Sequence, residues 1–454
     1  MCSVQEEAIP QQLNQLTGKL QCVKCRRDVP VVVTRVNDAF CQDCFLVYAV
    51  HKFRSAIGKS KVIVPKEHVL VAYSGGPASS ALLHFLQEGK KEGKLRFTVT
   101  VVHIDELALV SVSDKERQEK VQEVVEIVQQ RGFPLLLTSL ECAMDMVKPE
   151  AGESSQAPEM CKEVTSEKEV DALANPDKGD KLKKLLDSLP SISAKEEFIR
   201  VLRNQVLLGV ARERGFTKVV VGDTATALSV RIMTDMAKGK GSQVSFDTTI
   251  GDKRYGDVMV VRPIRDLNMK EVEAYNRLQN VESISIPHIA DQWHKSNSIE
   301  QLTAHFIHGL QENFPSTVPN IVRTSDKLGH QDIESLPEKC SLCESPLDTD
   351  VGEASALRAV EVCERLLQKD GASRSQSQAA QSSDCTQHDR VAADNMKASL
   401  CYGCRLTVKG LRDVSLLPTH VVQKSQSRCL SRDEMRAQIS EFLLDDENGD
   451  TPNS

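Results

Sequence analysis

The stretch His68-Val-Leu-Val-Ala-Tyr73-Ser-Gly-Gly-Pro-Ala-Ser-Ser80 decides how this chain is read. Apolar residues running straight into Ser74-Gly75-Gly76-Pro77 describe a buried strand that ends in a tight turn. A helix is expected from Ser79 to Gln87, and Thr98-Val-Thr-Val-Val-His-Ile104 reads as the next strand. The alternation continues with a helix over 114–130, strand Pro134-Leu-Leu-Leu-Thr138, helix Ala194–Gly215 and strands Lys218-Val-Val-Val221 and Val258-Met-Val-Val-Arg262. An amphipathic helix follows over roughly Ile299–Glu312. Strands alternating with helices predict an α/β fold with a doubly wound parallel sheet.

The turn itself is a candidate phosphate site. Two glycines let backbone approach a phosphate, while backbone N–H groups and a helix start supply partial positive charge. Ser74, Gly75 and Gly76, with Ser79 and Ser80 at the helix start, form this candidate nucleotide loop. Ser-Gly-Gly is common in ordinary turns, so its place after an apolar strand carries the argument. His103 and Asp105 end the second strand on the same side, where the alternative is a plain strand-end polar pair.

The chain has 454 residues, enough for two to three domains at about 150 residues each. Its net charge is −7, whereas a protein binding nucleic acid over its whole surface would be basic. Any RNA contact therefore needs a local patch. Lys195–Arg265 holds 13 Lys/Arg against 8 Asp/Glu. Arg200, Arg203 and Arg231 are the candidate RNA contacts, and Ala237-Lys-Gly-Lys-Gly241 reads as a mobile basic loop suited to phosphate. The alternative is arginines on solvated helix surfaces. The first twenty residues lack an apolar core, and no apolar run approaches the roughly 18 residues of a membrane span, so neither export nor a membrane is expected.

Fourteen cysteines are the strongest compositional signal, and eight fall into Cys-x-x-Cys pairs. In a reducing compartment such pairs hold metal more often than they form disulfides. Cys22, Cys25, Cys41 and Cys44, with fifteen residues between the pairs, have the spacing of a four-thiolate zinc site; a redox dithiol is the alternative. Cys340 and Cys343 lie 57 residues before Cys401 and Cys404, a gap that supports a shared zinc less strongly. Low-complexity filler accounts for that gap, because loop closure costs grow slowly with length.

Four regions are expected. Residues 1–58 form a zinc ribbon with a mobile polar start, and 59–330 the α/β domain with a disordered acidic insertion near 144–180. Residues 331–435 form a second zinc module with a low-complexity insertion near 371–399, and 436–454 an acidic tail.

Tyr73-Ser-Gly-Gly-Pro-Ala-Ser-Ser80 resembles the pyrophosphate loop of the adenine-nucleotide α-hydrolase-like enzymes, whose working form is Ser-Gly-Gly-x-Asp-Ser. Cysteine pairs before and after such a domain resemble the cytosolic tRNA thiouridylases. With Gly222-Asp223-Thr224 and Arg262-Pro263-Ile264-Arg265-Asp266, the chain is similar, over roughly 20–430, to the second, degenerate subunit of that family. The departures are specific. Ala78 stands where the enzymes carry Asp, and Pro77 where they commonly carry Lys. Gly222-Asp-Thr-Ala-Thr-Ala-Leu228 replaces a Gly-His-Asn-x-x-Asp-Asp run whose carboxylates would hold Mg²⁺. The catalytic Cys-x-x-Cys falls at about Glu196 and Ile199, and a further catalytic cysteine is replaced within Glu282-Ser-Ile-Ser-Ile-Pro287.

The resemblance implies a cytoplasmic, heterodimeric tRNA thiolase in which this chain supports tRNA binding and a catalytic thiouridylase subunit. ATP and Mg²⁺ would act on that partner, and sulfur would come from a thiocarboxylated ubiquitin-related carrier protein. The product would be 5-methoxycarbonylmethyl-2-thiouridine at the wobble position of tRNA Lys, Glu and Gln. Two other readings are an autonomous ATP-dependent tRNA-modifying enzyme and a zinc-ribbon interaction module unrelated to RNA.

Overall fold

Parity along the strands organises the protein. Val69, Val71, Val101, Leu135, Leu137 and Val220 enter one apolar core, while Leu70, Val102, Leu136 and Val219 enter another. Successive side chains of a strand point to opposite faces, so a sheet covered on both sides needs near-continuous apolar runs. A computed structural model describes residues 21–35, 38–110, 112–146, 160–163, 176–287, 289, 298–328, 339–347, 396, 399–411 and 413–427. Residues 1–20, the low-complexity stretch near 371–399 and the acidic tail lie outside the described residues, apart from Met396 and Ser399.

A hairpin of β1 (Val32–Arg35) and β2 (Asp38–Phe40) leads into helix α1 (Gln42–Ser60). Then come β3 (His68–Ala72), α2 (Pro77–Lys91), β4 (Thr98–Asp105), α3 (Asp114–Gln130), β5 (Leu135–Ser139), the short β6 (Lys162–Glu163), α4 (Pro176–Ser188) and α5 (Ile192–Glu213). The second half contains β7 (Lys218–Val220), α6 (Ala225–Ala237), α7 (Val244–Thr248), β8 (Gly251–Asp252), β9 (Met259–Val261), α8 (Met269–Gln279), α9 (Ile299–Asn313) and α10 (Thr317–Ser325). Helices α11 (Tyr402–Thr407) and α12 (Thr419–Ser427) complete the described elements.

The sheet order is β6-β5-β4-β3-β7-β9-β8, parallel from β5 to β9 and closed by antiparallel edge strands. Chain order reverses at β3, with β4 on one side and β7 on the other. The turn after β3 therefore stands at the topological switch point, where doubly wound folds bind ligands. Among the described residues, no helix is long and apolar enough to cross a membrane.

Two expectations are corrected. The acidic insertion near 144–180 is not loop throughout, because α4 begins at Pro176 and Lys162–Glu163 pairs with β5. Leu182, Leu185 and Leu186 give α4 one apolar edge that the surrounding lysines and aspartates disguise by composition, and all three are buried. The C-terminal cysteine region is also no separate bead on the sheet. Cys340, Leu342, Cys401, Cys404, Leu417 and Val421 share one core with Phe198, Leu202 and Val206 of α5. Helix α5 is thus covered by the sheet on one side and by C-terminal residues on another, and Gln205 donates a hydrogen bond to the carbonyl of Leu342. The N-terminal module joins the opposite core through Phe40, Phe45 and Phe53.

If α4 is part of the core, Leu182→Ala should destabilise the protein by about 2–5 kcal/mol, the usual cost of emptying a leucine site. Denaturant unfolding of the full chain measures this. A change within about 0.5 kcal/mol would mean that α4 packs as an ordinary surface segment.

Candidate nucleotide loop and four-cysteine clusters

Loop 74–76 is made by the end of β3 and the start of α2, and its hydroxyls turn inward. Ser79 Oγ donates to the Gly76 carbonyl at 2.9 Å and lies 3.2 Å from Ser74 Oγ. Ser80 Oγ donates to the Gly75 carbonyl at 3.3 Å and sits 3.3 Å from the hydroxyl of Tyr73. His103 Nδ1 donates to the Tyr73 carbonyl at 2.8 Å, and burial pushes that imidazole below its usual range. Asp105 accepts from the Leu107 amide at 2.9 Å and pairs with Arg117 at 2.7 Å.

A second segment closes over the loop. Gly75 adopts φ +80°, a left-handed conformation that glycine takes without penalty, and a Cβ there would come within 3.0 Å of Ile286 Cδ1. The Ile284 amide donates to the Gly75 carbonyl at 2.9 Å. The stretch Glu282–Pro287, expected to replace a catalytic cysteine, thus lies at the loop with isoleucines as its contacts. Asn276 of α8 also donates to the Pro77 carbonyl, at 2.9 Å.

The strand end after β7 is equally committed. Asp223 accepts from Arg231 at 3.2 Å and from Arg262 at 3.0 Å. Burial pushes its carboxyl up, but the two guanidiniums outweigh this and hold it below the usual carboxylate range. Thr224 caps α6 by accepting from the Ala227 amide. A cation seeking Asp223 would have to displace both arginines.

All three candidate tRNA arginines hold carboxylates of the chain itself. Arg200 binds Glu197 at 2.7 Å and Asp235 at 2.8 Å; Arg203 pairs with Glu106, with Nη2 to Oε2 at 2.6 Å; Arg231 holds Asp223. The basic window is further offset by carboxylates inside and outside it, since Arg212 holds Asp257, Arg254 holds Asp252 and Arg265 holds Asp326. Ala237–Gly241 does not behave as the expected basic loop either. Lys238 and Lys240 both turn inward onto Glu197, and Lys240 is only 2 % exposed. Sequence reading missed Glu197 and Asp235 because a carboxylate on a helix looks solvated until its partners are known. Their placement in the apolar helices α5 and α6 was the available signal.

Each cysteine set converges. The sulfurs of Cys22, Cys25, Cys41 and Cys44 lie within 4.8 Å of one another, as do those of Cys340, Cys343, Cys401 and Cys404. Cys25 and Cys41 are 3.8 Å apart, and Cys343 and Cys401 3.7 Å apart. Four thiolates about 2.3 Å from one tetrahedral ion stand about 3.8 Å from each other, so both sets fit zinc. Gln243 Nε2 donates to Cys401 Sγ at 3.1 Å, the kind of outer hydrogen bond that orients a ligating thiolate. The long gap between the second pairs is bridged because Ser341 and Ser399 clasp each other, with Oγ atoms 2.9 Å apart.

Glu197 gives this region a sign-definite pH response. Burial raises its carboxyl, yet Arg200, Lys240 and Lys238 override that and hold it well below the usual range. A lowered folded-state value stabilises the protein above the unfolded carboxyl value of about 4.3, and that contribution is lost as pH falls below it. Glu197→Gln should cost about 3–5 kcal/mol near neutrality, because it strands buried cations, and should flatten the loss of stability below about pH 4.5. Denaturation midpoints from pH 3 to 8 test this; a variant with unchanged stability and unchanged acid sensitivity would remove Glu197 from its central place.

Comparison with known proteins agrees with this geometry. Residues 298–406 match the sequence profile of the family described as cytoplasmic tRNA 2-thiolation protein 2. The chain is 35% identical to cytoplasmic tRNA 2-thiolation protein 2-A of Xenopus laevis, over 99% of this chain and 100% of that protein. It is 34% identical to cytoplasmic tRNA 2-thiolation protein 2 of Homo sapiens, over 90% of each chain. Among solved structures, the U34-tRNA thiolase NcsA from Methanococcus maripaludis superposes with TM-score 0.50 at 16% identity, covering 73% of this chain and 93% of that one. That likeness shows that the α/β domain shares the fold of that structure. Similarity at this level along nearly the whole length places the chain in a family, and it belongs to the cytoplasmic tRNA 2-thiolation protein 2 family.

Proposed function

We propose that this chain is the non-catalytic subunit of a cytoplasmic heterodimeric tRNA thiolase. Its catalytic partner would adenylate the C2 oxygen of the wobble uridine in tRNA Lys, Glu and Gln using ATP and Mg²⁺. Sulfur would then arrive from a thiocarboxylated ubiquitin-related carrier protein, giving the 2-thio group of 5-methoxycarbonylmethyl-2-thiouridine. The observation that carries this reading is full-length similarity to proteins named for tRNA 2-thiolation, combined with a loop whose chemistry has been withdrawn. Ala78 offers no carboxylate, Asp223 is clamped by Arg231 and Arg262, and isoleucines lie against Gly75 where a thiolate would be needed. In this role both four-cysteine clusters hold structural zinc, one on each side of the sheet.

Reconstitution tests the assignment. The isolated chain should release no AMP or pyrophosphate in a tRNA-dependent manner, and the catalytic subunit alone should thiolate tRNA far more slowly than the two together. Turnover by the isolated chain would replace this reading with that of an autonomous enzyme.

The tRNA surface is assigned to the face that carries Arg203 and Arg231, whose side chains keep 30% and 26% exposure, rather than to Arg200. Phosphate contacts act through positive charge, so Arg203→Glu should weaken tRNA binding by the complex, with a loss that shrinks as salt rises. The double variant Arg203→Glu with Glu106→Arg restores the ion pair with its poles exchanged. Continued weak binding by that double variant supports a phosphate contact at Arg203; full recovery would make Arg203 a structural residue and move the tRNA surface elsewhere.

A further inference from the structure

Where the C-terminal cysteine cluster meets the α/β domain, a lysine is buried against it. Lys240, just beyond α6, is 2 % exposed and bonds to Glu197 of α5. Its alkyl chain lies on Gly403, the residue inside the Cys401-x-x-Cys404 turn, so closely that a Cβ there would fall 2.4 Å from Lys240 Cε. The neighbouring residues interlock in the same way: a Cβ on Gly239 would meet the Tyr402 ring at 2.6 Å. Gln243, three residues beyond Lys240, donates to Cys401. One short stretch after α6 therefore supplies a cation, a hydrogen bond and a glycine seat to one cluster.

Lys240 shares Glu197 with Arg200 and Lys238, and Arg200 also reaches Asp235. A buried ammonium whose carboxylate is shared gains from further negative charge beside it. Four thiolates on a divalent ion carry two net negative charges.

We propose that Lys240 is a positioning residue for the C-terminal metal, held by Glu197 so that its ammonium offsets the charge of the loaded four-thiolate cluster and slows metal loss. This rests on the zinc reading of Cys340, Cys343, Cys401 and Cys404. It makes the two clusters unequal, because the described residues place a buried lysine at the C-terminal one, whereas Lys24, Arg26 and Arg27 beside the N-terminal one are exposed.

The test uses the full chain, zinc alone as ligand, native mass spectrometry and the rate of zinc transfer to a chromogenic chelator. Cys22→Ser with Cys41→Ser removes the N-terminal ion, so that the ion remaining reports the C-terminal cluster. On that background Lys240→Met should release zinc about 10–100-fold faster, the usual range for losing an outer-shell partner of a metal ligand. Lys240→Arg, which keeps the charge, should release it more slowly than Lys240→Met. Gly403→Ala, which pushes Lys240 aside without altering its charge, should also accelerate release. The gap in Tm between loaded and metal-stripped protein should narrow in Lys240→Met, whereas a lysine serving only the fold would lower both Tm values equally. Wild-type protein without a C-terminal ion would overturn the zinc reading itself. Two ions on the wild-type chain, together with unchanged release from Lys240→Met and Gly403→Ala on the Cys22→Ser, Cys41→Ser background, would overturn the role of Lys240 and leave the zinc reading standing.

Discussion

The carboxylate of Glu197 is the point on which the second half of the molecule turns. It sits on α5 beneath the sheet, and Arg200 of the same helix, Lys238 and Lys240 all reach it. A buried carboxylate is tolerable only with such partners, and each of these cations is tolerable only with the carboxylate. The arrangement fixes the end of α6 against α5. It also sets the position of residues 239–243, against which the Cys401-x-x-Cys404 turn rests. Apolar packing between α5 and the C-terminal residues supplies the adhesion; the ion cluster supplies the register.

The sheet was legible in the sequence because its strands are short apolar runs bounded by clear turns, and a buried parallel strand needs nothing else. Helices 114–130 and 299–312 were read nearly to the residue, since Ser113 and Ser298 cap their starts in the structure. Helix α4 was missed for a physical reason: Pro176-Asp-Lys-Gly-Asp180 has the composition of a loop, and only Leu182, Leu185, Leu186 and Leu189 betray a buried edge. Both cysteine sets were found by spacing, but the docking of the second onto α5 was not. That docking depends on which faces of α5 remain uncovered by the sheet, and a single helix pattern does not reveal how many neighbours will share it. The carboxylate partners of Arg200 and Arg203 at Asp235 and Glu106 were not read, because ion pairs 35 or 97 residues apart in sequence leave no local trace.

The loop after β3 holds its shape through contacts of its own. Gly75 retains the left-handed turn, and Ser79 and Ser80 spend their hydroxyls on loop carbonyls. These contacts hold β3 to α2 whether or not a phosphate is ever present. Removing the glycines would therefore damage the fold even in a chain with no nucleotide to bind.

The same logic extends to the crevice around it. In a doubly wound sheet the switch point is left open because the flanking connections diverge there, and an open crevice lined by backbone polar groups must bind something or be filled. Here several of its polar groups are paired within the chain: the Ile284 amide takes the Gly75 carbonyl, Asn276 takes that of Pro77, and two arginines take Asp223. The polar groups named here are thus committed to partners within the chain itself. A crevice whose polar groups are paired by its own residues is held in one shape by those contacts, which agrees with the non-catalytic role proposed above.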